Sequence, residues 1–190
     1  HHSINDDYPL IVLDAYQDSV LGLPANHPAF QRGIDFLTSR NLNLAKPGVD
    51  YVNTLPHEQR YQRSKGNCTT DLEFEDKFCV PYNGAVSYKQ LFWLYNILSH
   101  EIPIHKRVIV STHVSVLPEH GTGSTAIFDG IALMEILKYF APRICMVVCG
   151  HDHSGHYAYN NDTKCHYVTL AAPIEADYGL NLFTKTQEQQ

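Results

Sequence analysis

The sequence predicts an α/β domain built on a mixed sheet. Two observations carry that expectation. Three short apolar runs, "LIVLDAY", "RVIVSTH" and "ICMVV", read as strands covered on both faces. Segments of helical period separate them and short alternating segments follow, an order that gives parallel neighbours first and an antiparallel part last.

Taken in order, "LIVLDAY" is the first strand. A turn-rich stretch leads to a helix beginning near Pro28, with Phe30, Ile34 and Leu37 as its apolar stripe. Residues 41–82 are mostly polar and show no sustained period; loops of that length inside a domain are usually functional or disordered. "SYKQLFWLYNILSH" is the clearest helix: Ser87 and Gln90 have the spacing of a capping box, and Leu91, Leu94 and Leu98 share a face. "RVIVSTH" is the second strand and ends at His113. "TAIFDGIALMEILKYF" predicts a helix with Ile127, Ile131, Met134 and Leu137 on one side. "ICMVV" is the third strand, and "GHYAY", "HYVTL" and "GLNLF" read as hairpin strands, the first two joined by the turn "NNDT".

Composition narrows the function classes. The chain has 190 residues, 44% of them hydrophobic, which suits one domain with its own core. Its net charge of −6, with histidines neutral, argues against a nucleic-acid polymer as partner, since that needs a basic surface. No apolar run approaches the roughly 20 residues that span a bilayer, and the N-terminus lacks a basic-then-apolar signal pattern. Five cysteines fall far short of a disulfide scaffold. Cys68 and Cys79 lie in the polar loop and are the one pair placed to bridge in an oxidising compartment; the overall reading is a cytoplasmic protein, acting as a monomer without membrane attachment.

The histidines carry the chemistry. "CGHDHSGH" places His151 and His153 two residues apart directly after a strand, and His113 ends another strand. Ligands of open α/β sheets bind beyond the carboxyl ends of the strands. If the two strands are parallel neighbours, three imidazoles meet at one edge. Histidines two apart on extended chain point the same way. Gly150 and Gly155 would let both rings face one site from a tight loop. Neutral imidazole suits Mn, Fe or Zn better than Mg or Ca. His113, His151 and His153 are therefore the expected metal ligands. His156 reads as an exposed neighbour, and His120 as a loop residue. Asp14, at the end of the first strand, is open to two readings: a partner of the histidines or a local cap. Tyr51, Tyr82, Tyr88 and Phe128 have the chemistry to stack on a base, but aromatic residues at such positions are more often core. Glu175 and the basic loop residues Arg60, Arg63 and Lys65 stay unassigned.

These residues resemble the calcineurin-like metallophosphoesterases. "VIVSTH" and "CGHDHSG" match that superfamily's strand-end His and Gly-His-x-His motifs. "IVLDAY-x-x-SVLG", "NGAVSYKQLFWL" and "GHDHSGHY" resemble blocks in the C-terminal part of the manganese-dependent ADP-ribose/CDP-alcohol diphosphatases. The resemblance implies the C-terminal portion of a layered sandwich, mixed sheets flanked by helices. It makes residues 1–186 a metallophosphoesterase domain lacking its N-terminal half, and residues 187–190 a polar tail. His113 and His151 would ligate one metal and His153 the other, with Mn²⁺ in both places and Fe or Zn as substitutes. The implied reaction cleaves a nucleotide-type small molecule, such as ADP-ribose or a CDP-alcohol, at its pyrophosphate.

The departures are equally definite. Asp-x-His and Gly-Asn-His do not occur in the sequence, and no residue matches the bridging aspartate or the leaving-group histidine. The catalytic residues are thus unknown, and the chain alone is expected to be inactive. Two other readings stand beside the hydrolase: a truncated, non-catalytic binding or regulatory protein that keeps the fold, and a structural module with a single metal.

Overall fold

The computed structural model describes residues 2–3, 7–41, 43–44, 72–116 and 125–173. Among the described residues the sheet has six strands: β1 (His2–Ser3), β2 (Pro9–Leu13), β3 (Val108–Thr112), β4 (Ile144–Cys149), β5 (His156–Asn160) and β6 (Cys165–Thr169). Their spatial order is β1-β2-β3-β4-β6-β5. The four inner strands β2, β3, β4 and β6 run parallel, and β1 and β5 are antiparallel edges. The sheet is mixed, as the element order implied. Four parallel strands send four chain ends to the same side of the domain.

Among the described residues three α-helices accompany the sheet: α1 (Pro28–Arg40), α2 (Tyr88–Asn96) and α3 (Gly130–Tyr139). A π-helical turn, Ile97–Glu101, extends α2. Ile11, Leu13, Val108, Val110, Val147 and Tyr167 point from the strands into one core with Leu91, Leu94 and Leu98 of the α2 region and Leu133, Met134 and Leu137 of α3. Alternate strand residues therefore enter this core, as the period of two requires. A second cluster gathers Phe30 and Leu37 of α1 with Val20, Val80 and Phe128, and Phe128 stacks on Phe36 at 5.4 Å. Phe128 is thus a core residue.

Several expectations need correction. "LIVLDAY" is covered on one face: Ile11 is fully buried, whereas Val12 is 55% exposed. Composition alone does not distinguish a two-sided strand from a one-sided one. Ser87 caps α2 by accepting from the Gln90 N–H, but Gln90 does not complete the box. Its side chain instead accepts from the Asp14 N–H and donates to the Asp14 carbonyl, tying α2 to the end of β2. The third helix starts at Gly130, because residues before it are held extended. Ala126 bridges Ser115, the Ile127 N–H donates to the Ser115 carbonyl, and the Phe128 N–H donates to Gly84. Ile131, expected in the apolar stripe, is exposed, and Leu133, Met134 and Leu137 form the buried face. His27 caps α1 through Nδ1, which accepts from the Ala29 N–H.

Within the 41–82 loop, a 3₁₀ turn at Phe74–Phe78 is described, followed by the buried Cys79 and Val80. Cys68, Tyr51, Arg60, Arg63, Lys65, His120, Glu175, "GLNLF" and the boundary at residue 186 lie outside the described residues. Among the described residues no helix is long and apolar enough to cross a membrane.

The two faces of α2 give a stability test. Leu94 is fully buried and Phe92 is 68% exposed. Leu94→Ala should cost about 2–5 kcal/mol in denaturant unfolding, and Phe92→Ala far less. Equal losses would contradict the assigned face.

Candidate metal centre

The parallel core assembles the site. β3 ends at Thr112 and β4 at Cys149, so His113 and His151 leave the sheet at the same edge. The Gly150 N–H donates to the His113 carbonyl at 2.9 Å, continuing the ladder one step beyond the strands. The two rings meet edge to face with centroids 5.3 Å apart. Tyr16, just beyond β2, lies against both, at 5.7 Å from the His113 ring and 6.3 Å from that of His151.

The turn after β4 differs from the extended His-x-His expected. His151 itself has φ 69°, in the left-handed region. The Asp152 N–H closes the turn on the Gly150 carbonyl at 2.8 Å. Such a conformation costs a non-glycine residue on the order of 1–3 kcal/mol and persists only where its surroundings impose it. They do so here. Asp152 is buried, accepting from Thr125 Oγ1 and the Ser154 N–H. The Ala172 N–H after β6 donates to the His153 carbonyl. Gly155 has φ 69°, and a Cβ there would come within 2.9 Å of the Ala171 nitrogen, so glycine is required.

Both ring nitrogens of His151 are engaged. Nε2 lies 2.8 Å from Asn83 Oδ1, and Nδ1 lies 3.3 Å from the Tyr16 hydroxyl. Asn83 is fully buried, and its Nδ2 donates to the Phe78 carbonyl at 2.9 Å, which turns Oδ1 towards the histidine. Tyr82, the neighbour of Asn83, approaches the His151 ring at 6.0 Å.

Electrostatics keep these imidazoles neutral. Burial lowers the His151 pKa to about 4, helped by the charges of His113 and His153 and partly opposed by Asp152. His113 is lowered by burial and by His153. Burial also raises the Tyr16 phenol to about 12, so it remains a hydroxyl. Neutral imidazole is the ligating form, so this donor chemistry fits a borderline divalent cation. His153 is exposed, close enough to act electrostatically on both partners. Among the described residues, however, no three His, Cys, Asp or Glu side chains are arranged to hold one ion. The structure presents a contacting pair with His153 nearby, and the fit extends to that pair.

Other candidates fall into place around it. Asp14 Oδ1 accepts from the Tyr16 N–H at 2.9 Å, a local cap that sets the turn carrying Tyr16. His156 is exposed at the start of β5. Tyr88 is exposed on α2, whereas Tyr82 lies beside the histidines. The roles of Tyr16 and Asn83 went unread in the sequence. The "NG" dipeptide at Asn83-Gly84 was the available signal. A Cβ on Gly84 would stand 2.3 Å from the Ala15 carbonyl oxygen and 3.0 Å from the Tyr16 ring, so the chain passes too close there for any side chain.

Comparison with known proteins bears on the fold and its relatives. The chain is similar to manganese-dependent ADP-ribose/CDP-alcohol diphosphatases. It is 29% identical to the protein of that name from Arabidopsis thaliana over 178 residues, covering 93% of this chain and 50% of that one. It is 28% identical to its counterpart from Oryza sativa subsp. japonica over 179 residues, covering 93% and 48%. The chain thus spans about half the length of the curated relatives it matches. A crystal structure of a dimetal phosphatase from Danio rerio superposes with a TM-score of 0.71 at 21% identity, over 90% of this chain and 48% of that one. That likeness shows the α/β fold. No family model matches the chain.

Acidification should expose the neutral state of His151. Folded, it takes a proton only near pH 4; unfolded, near 6.5. Between those values the unfolded chain binds more protons, so stability falls as pH falls. Thermal melting of the metal-free chain should show that loss, and His151→Gln should flatten it. An unchanged slope would contradict the neutral, half-buried imidazole.

Proposed function

We propose that this chain supplies the imidazole portion of a two-metal, manganese-dependent hydrolase that cleaves phosphoric esters or pyrophosphates of ADP-ribose or CDP-alcohol type. The observation that carries the reading is the His113–His151 pair, held neutral at the carboxyl edge of the sheet with centroids 5.3 Å apart. The names of the relatives and the fold of the dimetal phosphatase support it. His113, His151 and His153 are the proposed ligands, and the substrate is a small nucleotide-type molecule. The cysteine usage supports a cytoplasmic setting; we propose a monomer.

Bound at such a site, the metals would neutralise phosphate charge and lower the pKa of an attacking water. The protein's own contribution is positional. The strand ends fix the spacing of the His113 and His151 rings, and the constrained turn orients the second of them. Tyr16 lies against both rings and Tyr82 against that of His151. The sequence lacks the acidic motifs of the superfamily, so we infer that turnover requires carboxylates from outside these 190 residues.

The test is Mn²⁺-dependent hydrolysis of ADP-ribose by the full protein that carries this chain. His151→Ala and His153→Ala should each reduce turnover by orders of magnitude, His156→Ala only slightly, and saturating Mg²⁺ should substitute poorly for Mn²⁺. Comparable losses at all three positions would replace the ligand set with a diffuse substrate-binding patch. Robust turnover by the 190-residue chain alone would overturn the need for outside carboxylates.

A further inference from the structure

We propose that Asn83 is a positioning residue for this centre: it fixes the tautomer of His151 so that Nδ1, and not Nε2, presents the lone pair that binds a cation. The inference rests on the reading of His151 as a ligand and names the group that makes it one.

The argument is a count of donors and acceptors. A neutral imidazole has one N–H and one lone pair, and the partner of one nitrogen decides the role of the other. Asn83 Nδ2 is committed to the Phe78 carbonyl at 2.9 Å, so Oδ1 faces His151 Nε2 at 2.8 Å. An amide oxygen only accepts; Nε2 therefore carries the proton, and Nδ1 the lone pair. The Tyr16 hydroxyl, 3.3 Å from Nδ1, donates to that lone pair. Ring partners of this kind orient metal-binding histidines and raise their basicity.

Asn83 is held firmly enough for the task. It is fully buried, its N–H donates to the Val80 carbonyl at 3.0 Å, and its carbonyl accepts from Ser19 Oγ at 3.2 Å. The following residue, Gly84, is pinned against Ala15 and Tyr16 by the close approach described above. The loop bearing Asn83 thus registers directly on the β2 end that bears Tyr16. Tyr16 has a different part. Its single hydroxyl proton has two acceptors in reach, His151 Nδ1 and the Tyr82 carbonyl at 3.5 Å. With Nδ1 holding a cation, the Tyr16 hydroxyl would keep the Tyr82 carbonyl as its acceptor. Asn83 sets the tautomer, while Tyr16 covers the lone pair until a cation displaces it.

Long-range ¹H–¹⁵N correlation spectra of the ¹⁵N-labelled, metal-free 190-residue chain at neutral pH read the tautomer directly. The native chain should show a single His151 Nε2–H form, and Tyr16→Phe should leave it unchanged. Asn83→Leu should give mixed or Nδ1–H tautomers, and Asn83→Asp, which retains the acceptor, should restore Nε2–H. If Asn83→Leu does not fold, Asn83→Ser, too short to reach the ring, takes its place. Mn²⁺ titration, followed by paramagnetic broadening of the His151 ring signals, should require about 10–100-fold more metal in the leucine or serine variant. An Nδ1–H tautomer in the native chain, or no change in the leucine and serine variants, overturns the role of Asn83. Selective broadening elsewhere, with the native His151 ring signals unaffected by Mn²⁺, overturns the ligand reading instead.

Discussion

One backbone hydrogen bond organises the candidate site. The Gly150 N–H donates to the His113 carbonyl, one step past the paired ends of β3 and β4. It is the continuation of a parallel register in which Val110 faces Val147 and Ser111 faces Val148. A strand's side chains alternate between faces, so a slip of one residue would send His113 or His151 to the wrong side. The buried positions Val108, Val110, Val147 and Cys149 oppose that slip, because it would turn them out of the core. The spacing of the imidazoles is therefore set by hydrophobic patterning several residues away from them.

The local strain has the same source. His151 adopts a left-handed backbone that glycine would take more readily. Side chains on three sides stabilise it: Asp152 anchored to Thr125, Asn83 on Nε2 and Tyr16 on Nδ1. Two of those partners lie 68 and 135 residues away in sequence. The conformation is thus a product of the assembled fold, imposed on a residue whose own preference lies elsewhere.

What was legible in the sequence follows from this division. The strands β2, β3 and β4 were readable as short apolar runs, and the α1 and α2 helices because burial of one face imprints a helical period. Their carboxyl-edge histidines followed from topology. The roles of Tyr16 and Asn83 were not readable, because each is defined by a contact between distant loops. Gln90 was misread for a related reason. Its spacing from Ser87 fits a local box, but the Asp14 backbone, 76 residues distant, competes successfully for its side chain. Ile127 kept helical spacing while pairing as extended chain with Ser115. The His-x-His motif predicted the right neighbourhood with the wrong backbone, since a tight turn, not a strand, carries it.

The central claim is that strand ends and a constrained turn preform a cation-binding pair from His113 and His151. Anomalous diffraction at the manganese edge, from crystals of this chain soaked in Mn²⁺, tests it most directly. The account predicts an anomalous peak within bonding distance of His151 Nδ1 and a ring nitrogen of His113, with the Tyr16 hydroxyl turned towards the Tyr82 carbonyl. Ordered Mn²⁺ elsewhere on the molecule, with no peak at this pair, would contradict it.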